Sequence, residues 1–594
     1  MARLNATLSR LSGGNTGVFV TLLIIAALIT LIRLFGPLQI SWDLSIQLDA
    51  AHRLAQGLGL TNAFSPQLDL SLPPISEPLI HFPPGLSLLV AALLWLGMPM
   101  AIALKTIYSL TVFIGWVAWA VIASRCLLNP IKVGMQSIPL NLVIAAILPL
   151  VYTPSWTIQG TDIFLWAGTP VVILLLLYTL RSRFCLAATA LLGLTIGLLL
   201  AFRYASGFLL ISTFLAIVYQ FFPRVKSMPI SGCIFVASTS LVVFPIFLFN
   251  SEAKAQLDAG SLDSLLYDHG AKYLDESASQ WLLNSVDAIF SSFSSLYFLT
   301  GIDPRRIQDF LAINSTLNIF VGLAFLLLFI SLPVVLLQYK RACINQGRSE
   351  KSELEISLLL SNLLISFILF SSATAFVVAY SLLEQERYYY PLKTCLILIA
   401  YRLLTLPQFF PLYKQMAKGL VLTFVLFNLL IAPAYYLADY GAKSLMVLPF
   451  GLEPSISFNI PYPSNSILSE SEEALNLLVE LRNQNPKALF FSQSYPKYMN
   501  YFSPGNSIDI RRIPDEEFWE EAYLSQPARV FWVTDDADCP LICYSHGFFN
   551  SDSDKKTISE FESLPNLKTV FVSSTDQTKI MLTDLPAGYT FANS

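Results

Sequence analysis

Charge is scarce in this sequence. Only 13% of its 594 residues are charged, against roughly 25% in soluble domains. That deficit excludes a wholly soluble chain, and a mean hydropathy of +0.60 points the same way. There are four histidines and seven cysteines. The one close cysteine pair, Cys539 and Cys543, is followed by no second ligand pair at metal spacing, so no metal site is expected. A net charge of −4 argues against a nucleic-acid partner. No glycine-rich phosphate loop follows any strand-like stretch, so neither a nucleotide nor another cofactor is expected.

What the chain has instead is apolar length. Long apolar runs cover 18–36, 86–99, 103–124, 138–153, 163–180, 185–202, 206–222, 229–249, 312–338, 356–380, 390–406 and 419–437. The fold class this predicts is an α-helical polytopic membrane protein of roughly eleven to thirteen spans, each needing about 20 apolar residues. The weakest run is 86–99, too short to cross comfortably. Arg3 and Arg10 precede the first run, and Arg33 follows it where a cleavage site would need small residues. The first helix is therefore retained, with its N-terminus cytoplasmic.

Positive loops orient the rest. Arg125 to Lys132, Arg181 and Arg183, Arg224 and Lys226, Lys340 to Lys351, and Lys414 to Lys418 mark the cytoplasmic side. Outside lie two long loops, 37–85 and 250–311, a short one at 381–389, and the C-terminal region. The chain thus divides into a transmembrane domain, 1–437, and a small extracytoplasmic α/β domain, 438–594. In the latter, helical patterns at 469–482, 515–523 and 555–562 alternate with strand patterns at 488–491, 508–510, 530–533 and 569–572. Cys126, Cys185, Cys233, Cys343 and Cys395 lie in or beside apolar runs and read as buried free thiols. Cys539 and Cys543 could close a small disulfide loop outside the cell.

Several residues could carry chemistry. Asp43 follows the first helix, directly after Trp42, at the outer membrane surface. An amphipathic helix is predicted over 44–56, with Leu44, Ile46, Leu48, Ala51, Leu54 and Ala55 on its apolar face and Gly57 and Gly59 at its stop. Asp43 is then either a reactive carboxylate or an ordinary N-cap. Asp49 is a second acid on the same helix. His81 ends the loop, just before Pro83-Pro84-Gly85, and is either part of a site or a turn residue at the membrane. Arg203-Tyr204 and Arg387-Tyr388 break the positive-inside bias by lying near the outer face. A guanidinium suits a phosphate, which its planar fork binds through two parallel hydrogen bonds. Pairing with a local carboxylate is the alternative, with Glu384 or Glu386 available to Arg387 and no acid close in sequence to Arg203.

Taken in order, these pieces resemble the GT-C superfamily of membrane glycosyltransferases. Within that superfamily the likeness is to the protein O-mannosyltransferase and aminoarabinose-transferase-like enzymes. That pattern has an acid just after the first helix (Asp43), an alanine-rich helix ending in Gly-x-Gly (Leu48 to Gly59) and Pro-Pro-Gly opening the next helix (Pro83 to Gly85). A glycine-bearing helix ending in arginine (Gly197 to Arg203) and a late Arg-Tyr-x-x-Pro segment (Glu386 to Leu392) follow. Phe491 to Pro496 resembles a strand-turn of extracytoplasmic tails in such proteins. The resemblance spans most of 18–437.

It departs at Phe82, where some relatives have lysine, and in lacking a second acid beside Asp43, so a paired-carboxylate metal site is not supported. The resemblance implies a polyprenyl-phosphate sugar donor, an acceptor hydroxyl on a lipid, glycan or protein, and the lipid bilayer as partners, in a plasma membrane. It implies Asp43 as general base and Arg203, Arg387 and Tyr388 as donor-phosphate ligands, with Asp49 and His81 as further candidates. A transporter or flippase, an O-antigen polymerase or ligase, and a non-catalytic scaffold are the competing readings.

Overall fold

The computed structural model describes residues 16–35, 38–40, 42–65, 67–72, 75–79, 82–126, 161–181, 186–221, 228–257, 351–378, 390–404, 456–458, 480–492, 507–509, 521–535, 564–572 and 578–591, with a few isolated positions. These residues are mostly helical. The helices are α1 (Thr16–Phe35), α2 (Trp42–Ala55), α3 (Gly85–Trp95), α4 (Met100–Cys126), α5 (Asp162–Arg181), α6 (Leu186–Phe202), α7 (Phe208–Phe221), α8 (Met228–Leu257), α9 (Lys351–Val378) and α10 (Tyr390–Leu404). Among the described residues, four stretches are long and apolar enough to cross a membrane: Met100–Ser124, Asp162–Arg181, Ile230–Glu252 and Ile356–Thr374. The expected runs 138–153 and 419–437 and most of 312–338 lie outside the described residues.

The chain divides into two compact units, residues 1–34 with 107–435 and residues 35–106 with 436–594. The first unit is a helical bundle in which α6 packs against α5 and α8, α7 against α9, and α9 against α10. Small residues bring the axes together. A Cβ on Gly168 would lie 2.2 Å from a Leu199 methyl, and one on Gly193 would lie 2.7 Å from the Phe235 carbonyl oxygen. In lipid there is no hydrophobic drive between helices, so this close approach supplies the packing. One face of α8 is open: Val236, Leu241, Phe244 and Phe247 are exposed, as a lipid-facing helix requires. Cys395 is buried, whereas Cys233 on α8 is exposed rather than packed inside.

The second unit joins the first long loop to the C-terminal region. Strand β1 (Leu38–Ile40) pairs in parallel with β4 (Ile456–Phe458), and a hairpin of β2 (Thr61–Ser65) and β3 (Ile75–Pro78) follows α2. The first loop and the C-terminal region thus fall in one compact unit. Five strands, β5 (Leu489–Ser492), β6 (Ser507–Asp509), β7 (Ala528–Asp535), β8 (Lys568–Val572) and β9 (Thr578–Leu585), form a sheet in the order β6-β5-β7-β9-β8. The first three are parallel and the last two antiparallel. Leu489, Phe491, Val530, Trp532 and Leu585 anchor one core face. Strand β9 has no counterpart in the sequence reading. It lies between two neighbours, so the clean alternation that marks a one-sided strand is blurred.

Candidate active site

Helix α2 begins at Trp42, with Asp43 at its N-terminal end. The helix ends as glycine dictates. Gly57 has φ +81, the Leu58 amide donates to the Arg53 carbonyl at 2.9 Å, and the Gly57 amide donates to Leu54 at 3.0 Å. These are the two bonds of a Schellman stop. The helix is not amphipathic in place, since Gln47 and Asp49 are as buried as Leu44, Ile46 and Leu48. It is covered from more than one side.

Helix α3 runs alongside α2. Ser87 Oγ donates to the Gln47 carbonyl at 2.7 Å and Trp95 Nε1 to the Ala55 carbonyl at 3.0 Å, a constant offset that makes the two helices parallel. Pro83 and Pro84 are buried where α3 starts, and Pro84 caps it. On another flank, Arg53 donates to Thr61 Oγ1 at 3.0 Å and to Ser76 Oγ, tying α2 to the hairpin. Ile46 and Ala50 pack with Leu79, Leu60 and Phe82. Phe82 is thus an apolar packing residue.

Asp49 is 4% exposed, and Arg482 is 3% exposed. Burial pulls the Arg482 guanidinium down to about 10, while the Asp49 charge acts to raise it. Its plane also lies over the Phe490 ring, 5.8 Å from the centroid. Both groups are buried in the second unit, and the Asp49 charge acts on Arg482 there.

In the bundle, Arg203 lies at the break between α6 and α7. Its backbone is extended, φ −153 and ψ 115, and a 3-10 turn over Tyr204–Gly207 follows. Its Nε is 2.9 Å from Asp162 Oδ1, with both side chains buried, 10% and 5% exposed. Its Nη1 reaches Thr161 Oγ1 at 3.5 Å. Directly below, Phe202 stacks on Phe164 with ring centroids 4.1 Å apart. The carboxylate alternative raised for the arginines is therefore met at Arg203, by an acid far upstream at the first turn of α5. The pairing holds the fork in one orientation.

His81, Arg387 and Tyr388 lie outside the described residues. Asp43 and Asp49 share one helix; Asp43 and Arg203 belong to different units. Among the described residues, three buried charged residues on the apolar helices escaped the sequence reading: Asp162 on α5, Lys105 on α4 and Lys393 on α10. Each is the rare charge within an apolar run, which was the available signal. Among the described residues no cluster of three metal-ligating side chains occurs.

No family model matches the chain, and no curated protein matches it. A solved structure, that of ArnT from Cupriavidus metallidurans bound to undecaprenyl phosphate, is similar over 96% of this chain and 98% of that chain. The identity is 12% and the TM-score 0.45.

Proposed function

We propose that the chain is a membrane glycosyltransferase that moves a sugar from a polyprenyl-phosphate donor to an acceptor hydroxyl at the outer face of the membrane. The observation that carries the reading is the buried, pre-oriented guanidinium of Arg203 at a helix break in an apolar bundle. By the positive-inside orientation, that break faces outward. Lys393 supports it, buried at the fourth position of α10 on the same topological side. Cations held at the outer ends of spanning helices suit the phosphate of a lipid anchored in the outer leaflet.

The chemistry needs no cofactor, because a lipid phosphate is already a competent leaving group. Asp43 takes the acceptor hydroxyl proton. The acceptor oxygen bonds to the anomeric carbon as the bond from that carbon to the phosphate oxygen breaks, and the polyprenyl phosphate leaves with the electron pair. Arg203 and Arg387 offset the charge that develops on it, and Tyr388 is the third group assigned to the phosphate. Asp43 then returns its proton to water. Asp49, on the same helix, and His81 are the other groups in the first loop able to exchange a proton.

A transport reading draws on the same buried charges, since ionisable residues in spanning helices often mark a pathway. It requires them near mid-depth, whereas Lys105 is six residues into α4, Asp162 opens α5 and Lys393 is four residues into α10. The purified protein in lipid nanodiscs, given a panel of polyprenyl-phosphate sugars, is expected to release polyprenyl phosphate with the glycosylated acceptor. Asp43→Asn keeps the helix and is expected to lower turnover by about 10²–10⁴-fold, the usual worth of a general base. Near-normal turnover by that variant would remove Asp43 from the role. Movement of the intact donor across sealed vesicles without release would establish transport instead.

A further inference from the structure

Between β2 and β3 the first loop reaches into the C-terminal region and is clasped there. The Asp69 carboxylate accepts from the Ser71 amide at 3.1 Å, from Ser71 Oγ at 2.5 Å and from the Ser525 amide at 3.0 Å. The two serine hydroxyls are themselves 2.9 Å apart. Around this carboxylate the backbone is laddered: the Leu70 amide donates to Tyr523 and the Tyr523 amide to Leu68, both at 2.9 Å. Tyr523 in turn bridges Thr590, so single bridges link three separated parts of the chain. Leu70 is buried in the core with Phe491, Trp532 and Phe591.

The clasp is one of the holds on the segment that bears Asp43. Strand β1, just before α2, is paired with β4. The clasp holds the hairpin, and the hairpin holds α2 through Arg53 and through Leu60 and Leu79. With both ends fixed to the C-terminal region, α2 has one orientation.

We infer that the Asp69–Ser71–Ser525 clasp stays closed through turnover and makes the C-terminal region part of the scaffold that aims α2, so that Asp69 is a positioning residue for the base at Asp43. This rests on the transferase reading for its kinetic consequence but not for its structural one.

Asp69→Ala, Asp69→Asn and the double variant Ser71→Cys/Ser525→Cys, alone and combined with Asp69→Ala, separate the possibilities in the full-length protein in nanodiscs. Two readouts are taken: hydrogen exchange of the α2 amides and, per folded molecule, kcat and KM for the donor. Asp69→Ala is expected to speed exchange in α2 and to lower kcat by about 10²-fold, the cost of a misplacement near 1 Å, with KM for the donor little changed. Asp69→Asn keeps an acceptor oxygen without the charge and is expected to fall between Asp69→Ala and the native protein in both. The oxidised cysteine pair should restore Asp69→Ala and leave the otherwise native protein fully active, and reductant should undo the rescue. Unchanged α2 exchange in Asp69→Ala overturns the clasp as a support of α2, whatever the enzyme's activity. Loss of turnover in the oxidised pair, recovered by reductant, overturns permanent closure. Normal α2 dependence with no sugar transfer by the native protein from any donor tried refutes the transferase reading and leaves the structural inference standing.

Discussion

Arg203 and Asp162 set the terms for any mutation at the break between α6 and α7. Both are buried and 2.9 Å apart. Removing one member of such a pair leaves a charge desolvated, which costs about 3–5 kcal/mol, whereas replacing both with apolar groups is often close to neutral. Arg203→Ala is therefore expected to lower thermal stability sharply, and Arg203→Ala combined with Asp162→Ala to regain most of it. Unfolding in detergent, followed by intrinsic fluorescence, reads this directly. Equal losses in the single and double variants would show that the pair is not what the bundle depends on. A functional test at Arg203 belongs in the double background or in Arg203→Lys, where charge is kept and the fork is lost.

Helix packing is decided by glycines that leave room for backbone. A Cβ at Gly193 would sit 2.1 Å from Ser238 Oγ and 2.7 Å from the Phe235 carbonyl oxygen, and Thr239 Oγ1 already donates to the Gly193 carbonyl at 3.2 Å. Gly193→Ala must push α6 and α8 apart. A loss of about 1–3 kcal/mol is expected, as for other overpacked sites. Gly232, on α8 itself, meets nothing within 4 Å, and alanine there is expected to be neutral or stabilising by up to about 1 kcal/mol from helix propensity. The contrast, measured by melting of the two variants, distinguishes packing from propensity. If both behave alike, close approach of α6 and α8 is not holding them.

At the scale of the second unit, stability follows the charge state of the clasp. Burial works to raise the Asp69 carboxyl, but the Ser525 and Ser71 hydrogen bonds outweigh it and hold the group at about 2. An unfolded aspartate titrates near 3.9. A group depressed in the folded state stabilises fully above its unfolded value and ceases to do so as pH falls through its folded one. The clasp is thus expected to be intact at neutral pH and to weaken from about pH 4 toward pH 2. Limited proteolysis of the 68–72 segment should show this onset in the native protein and not in Asp69→Asn. Onset near pH 6 would point to a different titrating group.

Local chemistry was enough to locate many elements and their stops. Gly57 and Pro83-Pro84 mark helix limits because their backbone preferences act within a few residues. The strands at 489–492 and 528–535 emerge where β-branched and aromatic residues cluster. Hydropathy alone outlined α4, α5, α6 and α9, since apolar length is a property of the run itself. Tertiary structure decided what each polar group meets. Arg203 has no acid near it in sequence and finds Asp162; Asp49, on the supposed polar side of α2, is buried where Arg482 feels its charge; Asp69 is bound by Ser525 from the far end of the chain. Periodicity could not foresee these. A helix face reads as solvent-exposed only if one side is covered, and a charge finds its partner by distance in space, to which separation along the chain is no guide.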